Sequence, residues 1–259
     1  MAVARTEQDA ARIALACLDL TSLNDGDTDT QVIALCERAD GPHGKPAALC
    51  VWPHLAQVAV RHAPPGVRVA AVANFPDGSV DTQRALADTL RIVQAGAQEV
   101  DVVLPYRALL AGDDKTCAEL LRAVRRACQA LTLKVILETG ELHERRWMQH
   151  AARIALAEGA DFLKTSSGKT AVSATPEAAR CLLQEIRADA RARASVGFKA
   201  AGGIRTVADA ATYIQLVEQA LGSAALVPAR LRFGASGLLN DIERVLGGAA
   251  GRAEPDMRY

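Results

Sequence analysis

RWMQHAARIALAEGADFLKTS, residues 146–166, joins two periodicities with no linker between them. Its first thirteen residues return apolar side chains at helical spacing. Gly159 and Ala160 then break the pattern, and DFLKTS (161–166) follows as a short, mostly apolar run of strand character. The same order occurs upstream. DTQRALADTLRIVQAGA (81–97) is an amphipathic helix that ends in Gly-Ala, and QEVDVV (98–103) follows it as a strand. A glycine just past a helix takes the left-handed conformation that stops it.

Six further runs have the length and composition of buried strands: 14–20, 47–52, 67–74, 133–138, 195–200 and 231–236; 161–166 and an extended 99–104 complete the set. Helical segments separate them. Two of these carry start signals: Thr175-Pro176-Glu177 offers a cap with proline in the first turn, and Thr206 with Asp209 forms a capping pair. Alternating strand and helix predicts a parallel sheet with helices outside it. Eight such units in 259 residues predict a closed (β/α)₈ TIM barrel as a single domain over 1–246, with 247–259 as a flexible tail able to reach the active site. No G-x-G-x-x-G follows the first strand, which argues against a dinucleotide-binding sheet.

Half of the residues are apolar, enough for a large core, and alanine supplies much of that fraction while aromatics are only 3%, which suits closely packed helices. Lys+Arg and Asp+Glu are both 30, so the basic excess of a nucleic-acid-binding surface is missing. No apolar run approaches the roughly 18 residues of a membrane span; Pro53 and His54 interrupt the best candidate. The six cysteines contain no C-x-x-C pair, and the N-terminus has no signal-peptide pattern, so they read as reduced thiols of a cytoplasmic protein. The five histidines are dispersed without ligand spacing, so no metal site is expected.

Barrel strands are buried on both faces and should be apolar throughout. Here Asp19, Asp101, Lys134, Glu138, Lys164 and Lys199 interrupt them. Catalytic residues of barrels come from the C-terminal ends of several strands. Lys164 and Lys199 fall on neighbouring strands, where two ammonium groups in one cavity repel each other and burial disfavours both charges. A lysine made neutral this way is a nucleophile able to form a Schiff base with a carbonyl, while the second lysine stays protonated. Asp101 has the chemistry of a proton shuttle for imine formation and carbon deprotonation. Buried salt bridges are the plain alternative for all three, and the two roles are compatible.

The ending Gly168-Lys169-Thr170 imitates a P-loop, but the required glycine five residues earlier is Leu163. Three glycine- or serine-rich turns remain: SSGKT after the sixth strand, AAGGIRT after the seventh and GASG after the eighth. Backbone N–H groups of such turns bind phosphate, and barrels place phosphate sites after their last strands. Arg205 could add charge there. Cys50, near the exit of the second strand, reads as a small buried residue or as a thiol facing the cavity, where aldehydes could alkylate it.

LDLTSLNDGDT (18–28), EVDVVLPYRAL (99–109), KVILETGEL (134–142), DFLKTSSGK (161–169), VGFKAAGGIRT (196–206) and RFGASGLL (232–239) resemble the 2-deoxyribose-5-phosphate aldolases, almost end to end. The resemblance implies a class I aldolase on a (β/α)₈ barrel. It would reversibly cleave 2-deoxy-D-ribose 5-phosphate to D-glyceraldehyde 3-phosphate and acetaldehyde, with no cofactor and no metal. It implies Lys164 as the Schiff-base lysine, Lys199 as the lysine that depresses it, Asp101 as the proton relay and Tyr259 as a contributor to proton transfer. Asp19 would contact the second lysine and Thr21 would line the substrate pocket. Gly168, Lys169, Gly202, Gly203, Ser236 and Gly237 would surround the phosphate, and Lys134, Thr165, Ser167 and Arg205 join them as substrate-binding candidates. A homodimer is implied, with phosphorylated sugar and aldehydes as the only other partners. The family pattern carries Pro, Thr and Ser where this chain has Ala200, Ser167 and Gly237. Its alternatives are a Schiff-base aldolase for another phosphorylated sugar and a phosphosugar-binding barrel without catalysis.

Overall fold

The computed structural model describes residues 5–247. Eight parallel strands close on themselves in chain order: β1 (Leu18–Thr21), β2 (Ala48–Val51), β3 (Arg68–Ala73), β4 (Glu99–Val103), β5 (Thr132–Ile136), β6 (Phe162–Lys164), β7 (Gly197–Ala201) and β8 (Leu231–Ala235). β8 pairs with β1 in parallel and completes the barrel. Every strand is followed by at least one helix, from Asp29–Arg38 after β1 to Leu238–Gly247 after β8. The sequence reading of a single-domain (β/α)₈ barrel therefore holds. Among the described residues no helix is long and apolar enough to cross a membrane, and all six cysteines are free and buried.

The helix boundaries follow the sequence signals. Gly96 and Gly159 adopt φ of 79° and 85° directly after the two helices that open the sequence argument. The Thr175 side chain accepts the Ala178 N–H, and Thr206 and Asp209 form a reciprocal capping box. Several strand boundaries differ, the first most of all. Residues 14–16, predicted to begin the first strand, belong to helix Glu7–Ala16, where Ala10, Ala11, Ala14 and Leu15 are buried at helical spacing. The strand proper is only Leu18–Thr21. The fifth strand is also shorter than predicted. It ends at Ile136, and Glu138 lies beyond it in a left-handed conformation with φ 54°.

Strand alternation divides the barrel wall into two faces. On β7, Phe198 and Ala200 face the helices and Lys199 faces the interior; Leu163 and Lys164 divide in the same way on β6. Phe162 and Gly197 are register partners in the lower interior. A Cβ built on Gly197 would lie 2.2 Å from the Phe162 ring, which packs beneath the Arg232 guanidinium with 5.6 Å to its centroid. Only glycine lets the ring lie there. Gly197→Ala is expected to destabilise the protein by about 1–3 kcal/mol through overpacking. That corresponds to a drop of several degrees in Tm, measurable by thermal denaturation; an unchanged Tm would contradict the packing argument.

Candidate active site

The interior layer is built of charges. Asp19, Glu99, Asp101, Lys134, Lys164, Lys199 and Arg232 are each at most 3% exposed. Register explains their meeting: Asp101 pairs with Lys134 across β4 and β5, Lys164 with Lys199 across β6 and β7, and Lys199 with Arg232 across β7 and β8. Ionised groups without water are tolerable only when paired, and here they pair closely. Lys164 Nζ donates to Asp101 Oδ2 at 2.8 Å, and Lys199 Nζ donates to the same oxygen at 2.8 Å. The two lysine nitrogens therefore lie no further apart than twice that distance. Lys134 Nζ donates to Asp101 Oδ1 at 2.7 Å and lies 2.5 Å from Glu99. Lys199 also reaches Asp19 at 2.5 Å. Arg232 bonds Asp19 at 2.6 Å and Glu99 at 2.9 Å.

The acids and bases of this cluster divide unevenly. Burial works to raise Asp101, but the ammonium groups of Lys134, Lys164 and Lys199 outweigh it and hold the carboxyl well below its usual range. Asp19 and Glu99 are likewise held down by their cations against burial. Burial would lower Lys134, Lys199 and Arg232, yet the surrounding carboxylates raise all three. Lys164 alone among the cluster's cations moves down. Burial contributes most, and the Lys199 charge adds to it while Asp101 opposes both. Desolvation, more than the neighbouring ammonium expected from the sequence, is what lowers Lys164.

Above Lys164 the barrel opens into a cavity of about 580 Å³. Thr21 and Asn24 line one side, and the last three turns line the other: Ser167, Gly168 and Lys169; Gly202, Gly203 and Arg205; Ser236 and Gly237. Among the described residues, the backbone N–H groups of Gly203, Ile204, Ser236 and Gly237 have no intramolecular acceptor. Such donors at the mouth of a cavity form an anion nest. A Cβ on Gly202 would lie 3.1 Å from the Gly168 Cα and 2.5 Å from the Ser173 hydroxyl, so glycine lets the sixth and seventh turns close on each other. Trp52 Nε1–H donates to the Asn24 carbonyl at 2.9 Å and fixes the opposite wall. Lys169 reaches Asp25 at 3.6 Å across the rim.

Asp19 contacts Lys199, as expected, and lies with Lys134 and Thr165 deeper than the residues that line the cavity. Lys134 and Asp19 have no exposed side-chain surface and are occupied within the ion cluster below the cavity. Thr165 is buried, its hydroxyl bridging the Ala201 N–H and C=O. Residues on the inward face of a barrel strand can sit a layer below the mouth. Tyr259 lies outside the described residues. Glu138 supports the wall instead of entering the cavity. Both its oxygens accept the Ser167 N–H at 3.3 Å and one accepts the Thr170 hydroxyl at 3.2 Å. Burial pushes its carboxyl up from the ordinary value. Cys50 is buried, shares register with Thr21 and so faces the interior, and is not among the cavity-lining residues; burial raises its thiol. Sequence reasoning missed Glu99 and Arg232. Glu99 stands two residues before Asp101 on the same face, which is the signal that would have found it.

Comparison with known proteins identifies the family. The family model for DeoC/LacD family aldolases matches residues 13–253. A curated deoxyribose-phosphate aldolase from Agrobacterium fabrum is 47% identical over 246 residues, covering 93% of each chain. A crystal structure from Toxoplasma gondii, described as a candidate deoxyribose-phosphate aldolase, superposes with a TM-score of 0.84 at 26% identity over 95% of this chain and 98% of that one. A similarly described structure from Coccidioides immitis gives 0.79 at 28% identity over 91% and 87%.

Proposed function

The chain belongs to the DeoC/LacD family of aldolases, and from that membership we propose that it reversibly cleaves 2-deoxy-D-ribose 5-phosphate to D-glyceraldehyde 3-phosphate and acetaldehyde through a Schiff base on Lys164. The observation that carries this reading is that Lys164 is the only cation of the buried cluster pushed toward its neutral form, at the floor of a cavity walled by anion-binding turns.

The neutral Nζ of Lys164 attacks the aldehyde carbon C1 of the open-chain sugar. The resulting carbinolamine loses water and leaves an iminium. Removal of the C3 hydroxyl proton breaks the C2–C3 bond, and its electrons pass into the iminium to give an enamine. D-Glyceraldehyde 3-phosphate leaves first. Protonation at C2 and hydrolysis then release acetaldehyde and restore the amine. Asp101 lies 2.8 Å from Lys164 Nζ, within reach of the protons moved in carbinolamine dehydration, directly or through one water. Lys199 supplies the positive field that opposes protonation of Lys164. The iminium formed on Lys164 is the electron sink, so these steps require neither a metal nor an organic cofactor. The turns after β6, β7 and β8 hold the phosphate, with Lys169 and Arg205 at its rim. The cytoplasmic setting read from the thiols accords with a phosphorylated substrate.

Incubation with acetaldehyde and borohydride, followed by peptide mapping, tests the reading. An N-ethyl group on Lys164 is expected; an adduct on another lysine, or none, would reject it. Gly237 offers a second check. A Cβ there meets nothing within 4 Å, so Gly237→Ser adds a hydroxyl at the anion nest without displacing anything. KM for the phosphorylated sugar is expected to fall about fivefold, the worth of roughly one hydrogen bond, with kcat and the KM for unphosphorylated deoxyribose unchanged. Equal effects on both substrates would place the phosphate elsewhere.

A further inference from the structure

We propose that Arg232 is a positioning residue for the amine chemistry: its fixed charge brings the buried cluster to three carboxylates and three permanent cations, so that Lys164 is the fourth base and the only one that contacts a single carboxylate. This rests on the Schiff-base reading of Lys164.

The count comes from the contacts. The carboxylates are Asp19, Glu99 and Asp101, and the permanent cations are Lys134, Lys199 and Arg232. Arg232 holds Asp19 and Glu99 together, bonding both, and Asp19 in turn holds Lys199. Lys164 touches only Asp101, whose oxygens also serve Lys134 and Lys199. An interior of this kind is electroneutral when Lys164 carries no charge. Removing the Arg232 charge leaves one carboxylate in excess, and the vacancy for a cation falls to Lys164. Arginine suits the task because its guanidinium stays protonated in proteins and bonds two carboxylates in a fixed fork.

The groups facing this chain of pairs are few. β8 presents Arg232, β1 presents Asp19, β7 presents Lys199 and β5 presents Lys134. β4 presents Glu99 and Asp101, and β6 presents Lys164 with the Phe162 ring below the guanidinium. From β3, Arg68 reaches Glu99 at 2.7 Å, but its side chain is 46% exposed and screened by water. Cys50 on β2 and Glu138 beyond β5 also act on the interior, and burial favours the neutral form of each.

The test follows borohydride trapping of acetaldehyde on Lys164 as a function of pH in the full chain. Arg232→Gln is expected to move the midpoint of trapping up by about one pH unit, the scale of one nearby charge. That reduces the neutral amine at pH 7 about tenfold. Glu99→Gln removes a negative charge from the same cluster and is expected to move the midpoint down. The double variant is expected to return close to the wild-type value, and Arg232→Lys to keep it. A purely structural role would lower the amplitude of trapping and leave the midpoint in place. Wild-type protein that traps no acetaldehyde on Lys164 would overturn the Schiff-base reading and this inference with it. Wild-type trapping with unmoved midpoints in both single variants, or shifts of the same sign, would overturn the charge count alone. If Arg232→Gln does not fold, Glu99→Gln decides: a downward shift supports the proposal, and no shift ends it.

Discussion

Lys164→Met will leave a folded barrel with turnover reduced by at least about 10⁴-fold, because the covalent route has no other amine at the cavity floor. Its stability is the more informative half. Breaking a buried ion pair by removing one partner is usually strongly destabilising, since it strands the other charge. Here Asp101 keeps Lys134 and Lys199 when Lys164 is lost. The remaining cluster holds three carboxylates and three cations, and methionine fills most of the vacated volume. A Tm equal to or above that of the wild type is therefore expected by thermal denaturation. A large loss of stability would mean that Lys164 is a fully charged structural cation, contrary to the reading of the site.

Asp101→Asn is expected to separate nucleophilicity from proton transfer. The carboxylate is the charge that opposes neutralisation of Lys164, so its removal lowers the lysine further and moves the midpoint of acetaldehyde trapping to lower pH. Turnover nonetheless falls, by about 10²–10⁴-fold, because the group that moves protons 2.8 Å from the amine is gone. Stability falls as well. Lys134 and Lys199 lose a carboxylate they share, at a cost of about 3–5 kcal/mol, or on the order of 10 °C in Tm. Turnover near the wild-type level would move the proton shuttle to another residue. A trapping midpoint shifted upward would contradict the electrostatic assignment.

Lys164 and Asp101 thus respond oppositely because the interior is a coupled set of charges, and only part of that set could be read from the sequence. The barrel was legible because helix and strand leave different periodicities, and the Gly-Ala stops at 96–97 and 159–160 mark where one yields to the other. Lys164, Lys199 and Asp101 were legible because a charge in a strand buried on both faces requires a reason. Depth was not legible. Alternation assigns Lys134 to the inward face, but the register that sets it opposite Asp101, a layer below Lys164, is a property of the closed sheet. The depth of Asp19 and Thr165 was hidden for the same reason. Glu99 and Arg232 sit near strand starts, where a charge reads as a solvated end. Closure of the barrel turns both inward, against Lys134 and Asp19 respectively.

The protonation state of one nitrogen decides between these readings. Heteronuclear NMR of protein labelled with ¹⁵N-lysine, with Lys164→Met, Lys199→Met and Lys134→Met for assignment, follows each Nζ through a pH titration. Lys164 is expected to lose its proton below the ordinary lysine value of about 10.4, while Lys134 and Lys199 remain ammonium well beyond it. A Lys164 resonance that stays ammonium to that value or above, or a Lys199 that deprotonates first, would contradict the account.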